Sequence, residues 1–410
     1  MRYFVESYGC TMNYGEGAQL SEGMAALGHE GSQSADSAEI VILNTCTVVD
    51  TTEKKMIRRM SELRKEGKEV IVTGCMAKVQ RNRVMIRLPD SLVIPPEDYH
   101  RFSSEVAERY GTGGSRTEIE PLSNILPIAA GCVGDCSYCI TKLARGRLKS
   151  YYPESLVSRF DSVVRHGAKE VLITAQDTGC YGLDIGTDLP SLLRMMLKNK
   201  EEFRLRIGMM NPDSLMSIAD DLLDVMDDPR IYRFLHIPVQ SGSDRILRRM
   251  NRPYSAEGFF DLADKLRSRY PDISISTDLI SGFPGETDED HAKSLELIER
   301  LRADTVNITR FSPRPGTEAV SMEPVHGRIS KDRSAELTEM KNRVEYRNNS
   351  TMIGRRERAL ITETGKEGTM IARTDNYRPV AVASDLPIGS FVYVGITECE
   401  PTYLIGRVLD

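Results

Sequence analysis

The chain has 410 residues, 40% of them hydrophobic, and a formal charge of −6. That length accommodates two or three domains with real cores. The acidic balance excludes a globally basic nucleic-acid binder, so any RNA contact must use local patches. No stretch approaches ~18 unbroken apolar residues, so no membrane span is expected. The opening Met1-Arg2-Tyr3-Phe4-Val5 reads as a strand and not as a signal peptide, because Glu6 follows. A cytoplasmic protein is expected, in which the eight cysteines serve as metal ligands before disulfides.

Residues 1–115 alternate short apolar strands with helical stretches. Arg2–Glu6, the run Ile40-Val41-Ile42-Leu43 and Glu69–Thr73 are strand-like, while Gly15–Leu27 and Thr52–Lys65 have helical character. The pattern indicates a parallel sheet covered on both faces. Cys10, Cys46 and Cys75 each follow one of these strands by two to four residues. In a parallel sheet such positions share the carboxyl edge, where ligands bind, so the three can meet. The alternative is three unrelated small apolar residues, since free Cys is often buried. Pro95-Pro96 and Gly111-Thr112-Gly113-Gly114-Ser115 are breakers, and the glycine run marks the first domain boundary.

From Leu122 to about Asn349 the α/β pattern returns with longer repeats. Candidate strands are Leu126–Ala130, Glu170–Ala175, Leu205–Met210, Phe234–Val239, Ile273–Ile280 and Thr305–Arg310. Six βα units suit an open, partial barrel with its active groups at the strand carboxyl ends. Just after the first strand lies Cys132-Val133-Gly134-Asp135-Cys136-Ser137-Tyr138-Cys139, a C-x3-C-x2-C triplet. Three thiolates at this spacing fit three corners of a [4Fe–4S] cube and leave the fourth iron open. A structural zinc site is the rival reading, although zinc favours four ligands and paired C-x2-C knuckles. Gln176, Asp177, Asn211, Gln240, Ser241, Asp278, Ser281 and Arg310 stand at the same strand ends. Helix capping is the alternative for these groups, and it suits Asp213 best. Cys180 and Cys399 are left over and read as incidental.

Three basic groups are candidates for phosphate contact: Arg245/Arg248/Arg249 with Arg252, Lys142/Arg145/Arg147/Lys149, and Arg355/Arg356/Arg358. Each reads equally as a solvated face. From Ile353 the pattern becomes a series of short alternating strands with turn signals between them. About five strands in roughly 60 residues indicate a small barrel of the oligonucleotide-binding type.

The triplet, with an aromatic residue before its third cysteine, resembles the radical S-adenosylmethionine (SAM) superfamily. Further stretches extend the likeness over nearly the whole chain. They include Tyr8-Gly9-Cys10, Asn44-Thr45-Cys46-Thr47-Val48, Thr73-Gly74-Cys75-Met76, Gln176-Asp177-Thr178-Gly179, His236-Ile237-Pro238-Val239-Gln240-Ser241-Gly242-Ser243 and Ser312-Pro313-Arg314-Pro315-Gly316-Thr317. Together they resemble the methylthiotransferases of that superfamily. The run Gly208-Met209-Met210-Asn211-Pro212 is most similar to the archaeal and eukaryotic branch. That branch converts N6-threonylcarbamoyladenosine, at position 37 of tRNA, to its 2-methylthio form.

The resemblance implies an α/β chain of three domains: an open parallel sheet over 1–115, a partial (βα)6 radical-SAM barrel over 116–350 and a TRAM-like β-barrel over 351–410. It implies two [4Fe–4S] clusters, one on Cys132, Cys136 and Cys139 that cleaves SAM to a 5′-deoxyadenosyl radical. The other, on Cys10, Cys46 and Cys75, carries the sulfur. The adenine C2–H bond has no useful acidity, so a radical route is required. Gln176, Asp177, Gln240, Ser241, Asp278 and Arg310 become candidates for the SAM site. Tyr138 either stacks on the SAM adenine or shields the cluster. Many radical-SAM chains carry Gly-Gly-Glu after the second strand. Thr174-Ala175-Gln176-Asp177 stands there instead, which leaves the amine-binding group open. The implied partners are a tRNA anticodon stem-loop, a flavodoxin- or ferredoxin-like electron donor and a sulfur source, with the chain a monomer. The alternatives are methylthiolation of a ribosomal-protein aspartate, or of isopentenyladenosine in tRNA.

Overall fold

The computed structural model describes residues 1–48, 50–114, 123–366 and 368–409. The domain boundary expected at 115/116 lies outside the described residues. The first sheet comprises β1 (Arg2–Ser7), β2 (Glu30–Gly31), β3 (Ile40–Thr45), β4 (Glu69–Thr73) and β5 (Leu92–Val93). The strands are all parallel, in the order β2-β1-β3-β4-β5. The unbroken apolar run of β3 is explained by burial on both faces. Val41 and Leu43 pack with Met56, Met60 and Leu63, whereas Ile40 and Ile42 pack with Leu20, Met24 and Phe102.

Eight further strands build the core: β6 (Ile125–Pro127), β7 (Ala129–Ala130), β8 (Lys149–Ser150), β9 (Glu170–Thr174), β10 (Arg204–Ile207), β11 (Phe234–His236), β12 (Ser274–Ser281) and β13 (Thr305–Arg310). Parallel ladders join β6-β9-β10 and β11-β12-β13, and a bridge from Leu205 to Ile231 links the two sets. The result is the open, partial barrel expected from six βα units. The expected strand Leu126–Ala130 breaks at Ile128. Its second half, β7, pairs antiparallel with β8 and closes the base of the cysteine loop.

A long helix, Gly327–Ser350, has no counterpart in the sequence reading. It covers the open edge at β13. Glu345 accepts the Val306 amide at 2.7 Å, and Lys341 donates to the Val306 carbonyl at 2.9 Å. Side chains thus satisfy backbone groups that an exposed edge strand would leave open.

The terminal barrel is closed: β14 (Arg356–Thr364), β15 (Thr369–Thr374), β16 (Pro379–Ala383), β17 (Phe391–Cys399) and β18 (Leu404–Leu409), in the order β14-β15-β16-β18-β17. It docks on the amino ends of the core strands. Arg204, which opens β10, donates to Asp375 at 2.7 Å, and the Tyr377 ring packs on Tyr232 and Phe234. Asp304, just before β13, pairs with Arg378. The cysteine loop lies at the opposite, carboxyl end. Among the described residues no helix is long and apolar enough to cross a membrane.

The turn that presents Cys75 depends on Gly74, whose φ is +78°. An added Cβ would sit 2.2 Å from the Thr45 carbonyl oxygen. Gly74→Ala is therefore expected to destabilise the first sheet by about 2 kcal/mol or more. Chemical denaturation of the metal-free protein measures this, and an unchanged midpoint would refute it.

Candidate active site between two cysteine trios

The structure brings the N-terminal cysteines together at the carboxyl edge of the first sheet. Cys10 precedes the helix Thr11–Ala26, Cys46 follows β3 and Cys75 opens the helix Gly74–Val79. They are close enough for Cys46 and Cys10 to act electrostatically on Cys75. Gly9, at φ +103°, allows the approach, because a Cβ there would fall 2.7 Å from the Cys46 sulfur. Asn13 ties the loops together, donating to the carbonyls of Tyr8 at 2.7 Å and Thr45 at 2.9 Å.

One residue of the core completes this trio. Arg145, in the helix Thr141–Arg145 that follows the cysteine loop, donates to the Cys75 sulfur at 3.2 Å and to Asn13 Oδ1 at 2.6 Å. It also pairs with Glu16, and both side chains are buried. Burial pushes the Cys75 thiol up to about 11, despite the opposing charge of Arg145.

The second trio lies in the loop closed by β7 and β8. The Gly134 amide donates to the Cys132 sulfur at 3.2 Å, and burial raises the Cys136 thiol to about 11. The loop is anchored through Ser137, whose amide and hydroxyl donate to the carbonyls of Met250 and Arg249. Tyr138 is half-buried, its ring set edge-on to Phe283 and its hydroxyl 2.7 Å from Arg252 Nη2.

Both trios are all-sulfur sets that receive N–H donors, which suits iron–sulfur ligation. Among the described residues no three His, Cys, Asp or Glu converge on a single ion position. The ligands of a polynuclear cluster bond separate irons and stand further apart than those of one zinc. The fit to a cluster rests on the chemistry of the donors: three thiolates in each set and N–H groups donating to sulfur.

A cavity of about 820 Å³ lies between the trios. Its walls include Val48 and Thr51, just beyond Cys46, together with Tyr138, Cys139, Gln240, Asp278, Arg310 and Arg314. Five of the candidate residues thus share one cavity. Gln240 is held in the left-handed region, at φ +73°. Burial pushes the Asp278 carboxyl up. Hydrogen bonds from His236 (3.0 Å) and Asn307 (2.8 Å), with the His236 charge, outweigh it and leave Asp278 below its ordinary range.

Gln176, Asp177 and Ser241 do not line that cavity. Gln176 Oε1 accepts the Gly131 amide at 2.7 Å and so holds the base of the cysteine loop. The buried Asp177 carboxylate accepts from Asn211, Ser214, Gly179 and Cys180. Ser241 Oγ accepts the Ser243 amide. In this structure all three are engaged in building the strand ends. Asp213 is not the cap expected: Asn211 occupies that position and makes no side-chain capping bond. Cys180 is buried and donates to Asp177, consistent with an incidental thiol.

The basic groups are mostly engaged. Arg145 and Arg252 are buried, Arg245 pairs with Asp290, Lys142 with Asp135 and Arg358 with Glu202. Arg147, Lys149 and Arg248 remain exposed. Sequence reasoning missed the network around Glu53, which accepts from Thr47, Gln80, Arg83 and Arg314. The Arg314–Glu53 bond spans 261 residues, so no local pattern announces it.

Comparison with known proteins agrees with this geometry. Family models match for the Radical SAM superfamily over residues 126–298, the Uncharacterized protein family UPF0004 over 2–94 and the TRAM domain over 350–409. A Pyrococcus abyssi protein, "Probable threonylcarbamoyladenosine tRNA methylthiotransferase", is 40% identical over the full length of both chains. The "Threonylcarbamoyladenosine tRNA methylthiotransferase" of Homo sapiens is 32% identical over 99% of this chain and 74% of its own. Among solved structures, the radical S-adenosylmethionine methyltransferase TsrM from Kitasatospora setae aligns with a TM-score of 0.56 at 13% identity. The match covers 78% of this chain and 76% of that one, a likeness of fold. With full-length relatives at this identity, the chain belongs to the threonylcarbamoyladenosine tRNA methylthiotransferase family.

Proposed function

We propose that the protein converts N6-threonylcarbamoyladenosine at position 37 of tRNA to its 2-methylthio derivative. The observation that carries this reading is a cavity walled by Cys139 of one all-cysteine trio and by Val48 and Thr51 just beyond Cys46 of the other, joined to the shared name of full-length relatives. Cys132, Cys136 and Cys139 would hold one [4Fe–4S] cluster, and Cys10, Cys46 and Cys75 the other. When bound, the clusters and SAM supply one-electron cleavage of an unactivated aromatic C–H bond and delivery of methylated sulfur.

The remaining work falls to the chain. Tyr138, inside the cysteine loop, packs edge-on against the buried Phe283. Arg252 fixes the Tyr138 ring through its hydroxyl. Asp278, locked by His236 and Asn307, keeps an ionised carboxylate in the cavity wall as a hydrogen-bond acceptor. Arg145 sets the position of Cys75 from the loop that carries the other trio. The domains are read as 1–115, 116–350 and 351–410, and the partners as an anticodon stem-loop, a flavodoxin- or ferredoxin-like donor and a sulfur source. The exposed Arg147, Lys149 and Arg248 are candidates for phosphate contact. A cytoplasmic monomer completes the reading.

Mass spectrometry of tRNA nucleosides from a deletion strain tests the substrate. The 2-methylthio form of threonylcarbamoyladenosine should vanish while its parent accumulates; its persistence refutes the reading. Replacing Cys10, Cys46 and Cys75 together by Ala should remove about four irons. That variant should still form 5′-deoxyadenosine from SAM without making product. The matching change at Cys132, Cys136 and Cys139 should abolish 5′-deoxyadenosine as well. Arg145→Met strands the buried Glu16 carboxylate, at an expected cost of about 3–5 kcal/mol. Thermal unfolding and iron content of the N-terminal trio check it, and both should fall.

A further inference from the structure

We infer that Arg310, backed by Arg314, binds the carboxylate of the threonyl substituent on the target adenosine. This rests on the substrate reading above and adds the group that recognises the substituent. Arg310 ends β13, is exposed, and lines both the large cavity and an adjoining hollow of about 470 Å³ that contains Lys331. Among the described residues it has no hydrogen-bond or ion-pair partner. Arg314, four residues on, is only 5% exposed. Its Nη1 donates to Glu53 at 2.9 Å, but Nε and Nη2 are buried without a partner. Unpaired buried donors are costly, which points to a partner absent from the chain itself.

Charge bookkeeping sharpens the point. Glu53 is shared between Arg83 and Arg314, so one carboxylate faces two guanidinium groups. The acids of the cavity wall itself are committed: Asp278 to His236 and Asn307, and Asp50 to Lys54. The Arg310 side chain and the unpartnered nitrogens of Arg314 thus stand on the β13 side with no acid of the wall bonded to them, beside the apolar surface of Ile280, Ile308 and Phe311. A guanidinium fits a carboxylate bidentately. A threonyl group joined through its nitrogen to a carbamoyl carbon keeps a free carboxylate. An isopentenyl group has none and would leave the Arg310 side chain, and the Nε and Nη2 of Arg314, without a partner. SAM also carries a carboxylate. Arg310 stands at the exposed edge of the cavity, where a substituent carried on a large RNA would enter, and this favours the RNA as the source.

The test uses the loaded, full-length enzyme and two anticodon stem-loop RNAs. One carries threonylcarbamoyladenosine, the other the same nucleoside with the carboxylate converted to its carboxamide. The wild type should prefer the acid by about tenfold or more in kcat/KM. Arg310→Gln should reduce the acid to the level of the amide, and Arg310→Lys should restore part of the preference. Equal use of both RNAs by the wild type overturns the carboxylate assignment while leaving the function reading intact. A rise in KM for SAM with the acid-to-amide ratio unchanged assigns the arginine to SAM and overturns it too. Methylthiolation of neither RNA, with 5′-deoxyadenosine still formed, overturns the substrate reading and this inference with it.

Discussion

The site depends on a buried guanidinium that belongs to one domain and serves the other. Arg145 lies six residues after Cys139, yet its three nitrogens are spent on Glu16, Asn13 and Cys75 of the N-terminal sheet. Removing such a charge from water costs several kcal/mol, which is recovered only where every donor is matched. Here each nitrogen has a partner, and the arrangement tolerates little displacement. The helix that fixes one cysteine trio thereby fixes its distance from the second.

A second cross-link has the same logic. Glu53, in the helix Asp50–Lys65 beyond Cys46, receives Arg314 from the loop after β13. The Arg314 end of this cross-link lines the cavity. Both parallel sheets direct their carboxyl ends toward this space, where open α/β sheets and barrels place their ligands. The terminal barrel is clamped instead to the amino ends through Arg204, Asp375 and Tyr377. Substrate chemistry and the added RNA-binding-type module therefore occupy opposite ends of the core. An RNA that meets both must run along the flank of the core strands.

What was legible in the sequence divides by range. The cysteines were legible because each sits just past an apolar strand, and a parallel sheet converts that register into proximity. The closed terminal barrel followed from turn signals between alternating strands. Glu16–Arg145 and Glu53–Arg314 were not legible, because ion pairs between residues 129 and 261 positions apart leave no periodic trace. Arg145 read as one of a basic run, when it is the member that is buried. Gln176 and Asp177 were correctly placed at the strand ends. Position alone could not show that their side chains are consumed by the Gly131 amide and by Asn211 and Ser214. The helix Gly327–Ser350 escaped notice because few of its residues are buried, and those include Glu345 and Arg333. Its apolar contact with the core is limited to Leu337, Met340 and Val344, and the sheet edge itself is met by the charged Lys341 and Glu345, a pattern too sparse for apolar periodicity to report.

The burial that protects the site also sets terms for assembling it. Cys75 and Cys136, with thiols raised to about 11, are protonated in the empty protein at neutral pH. Metal must therefore displace protons as it binds, and loading favours higher pH. The opposing forces sit close by. Arg145 at Cys75 and the Gly134 amide at Cys132 each favour the thiolate over the thiol. Neither overcomes desolvation alone, and a bound iron would supply the missing positive charge. With a cluster held there, the same N–H donors would face metal-bound sulfur, a recognised lever on cluster potential. A buried cation that ties Cys75, Asn13 and Glu16 together, and would polarise a sulfur bound to iron, connects folding to cofactor chemistry through Arg145.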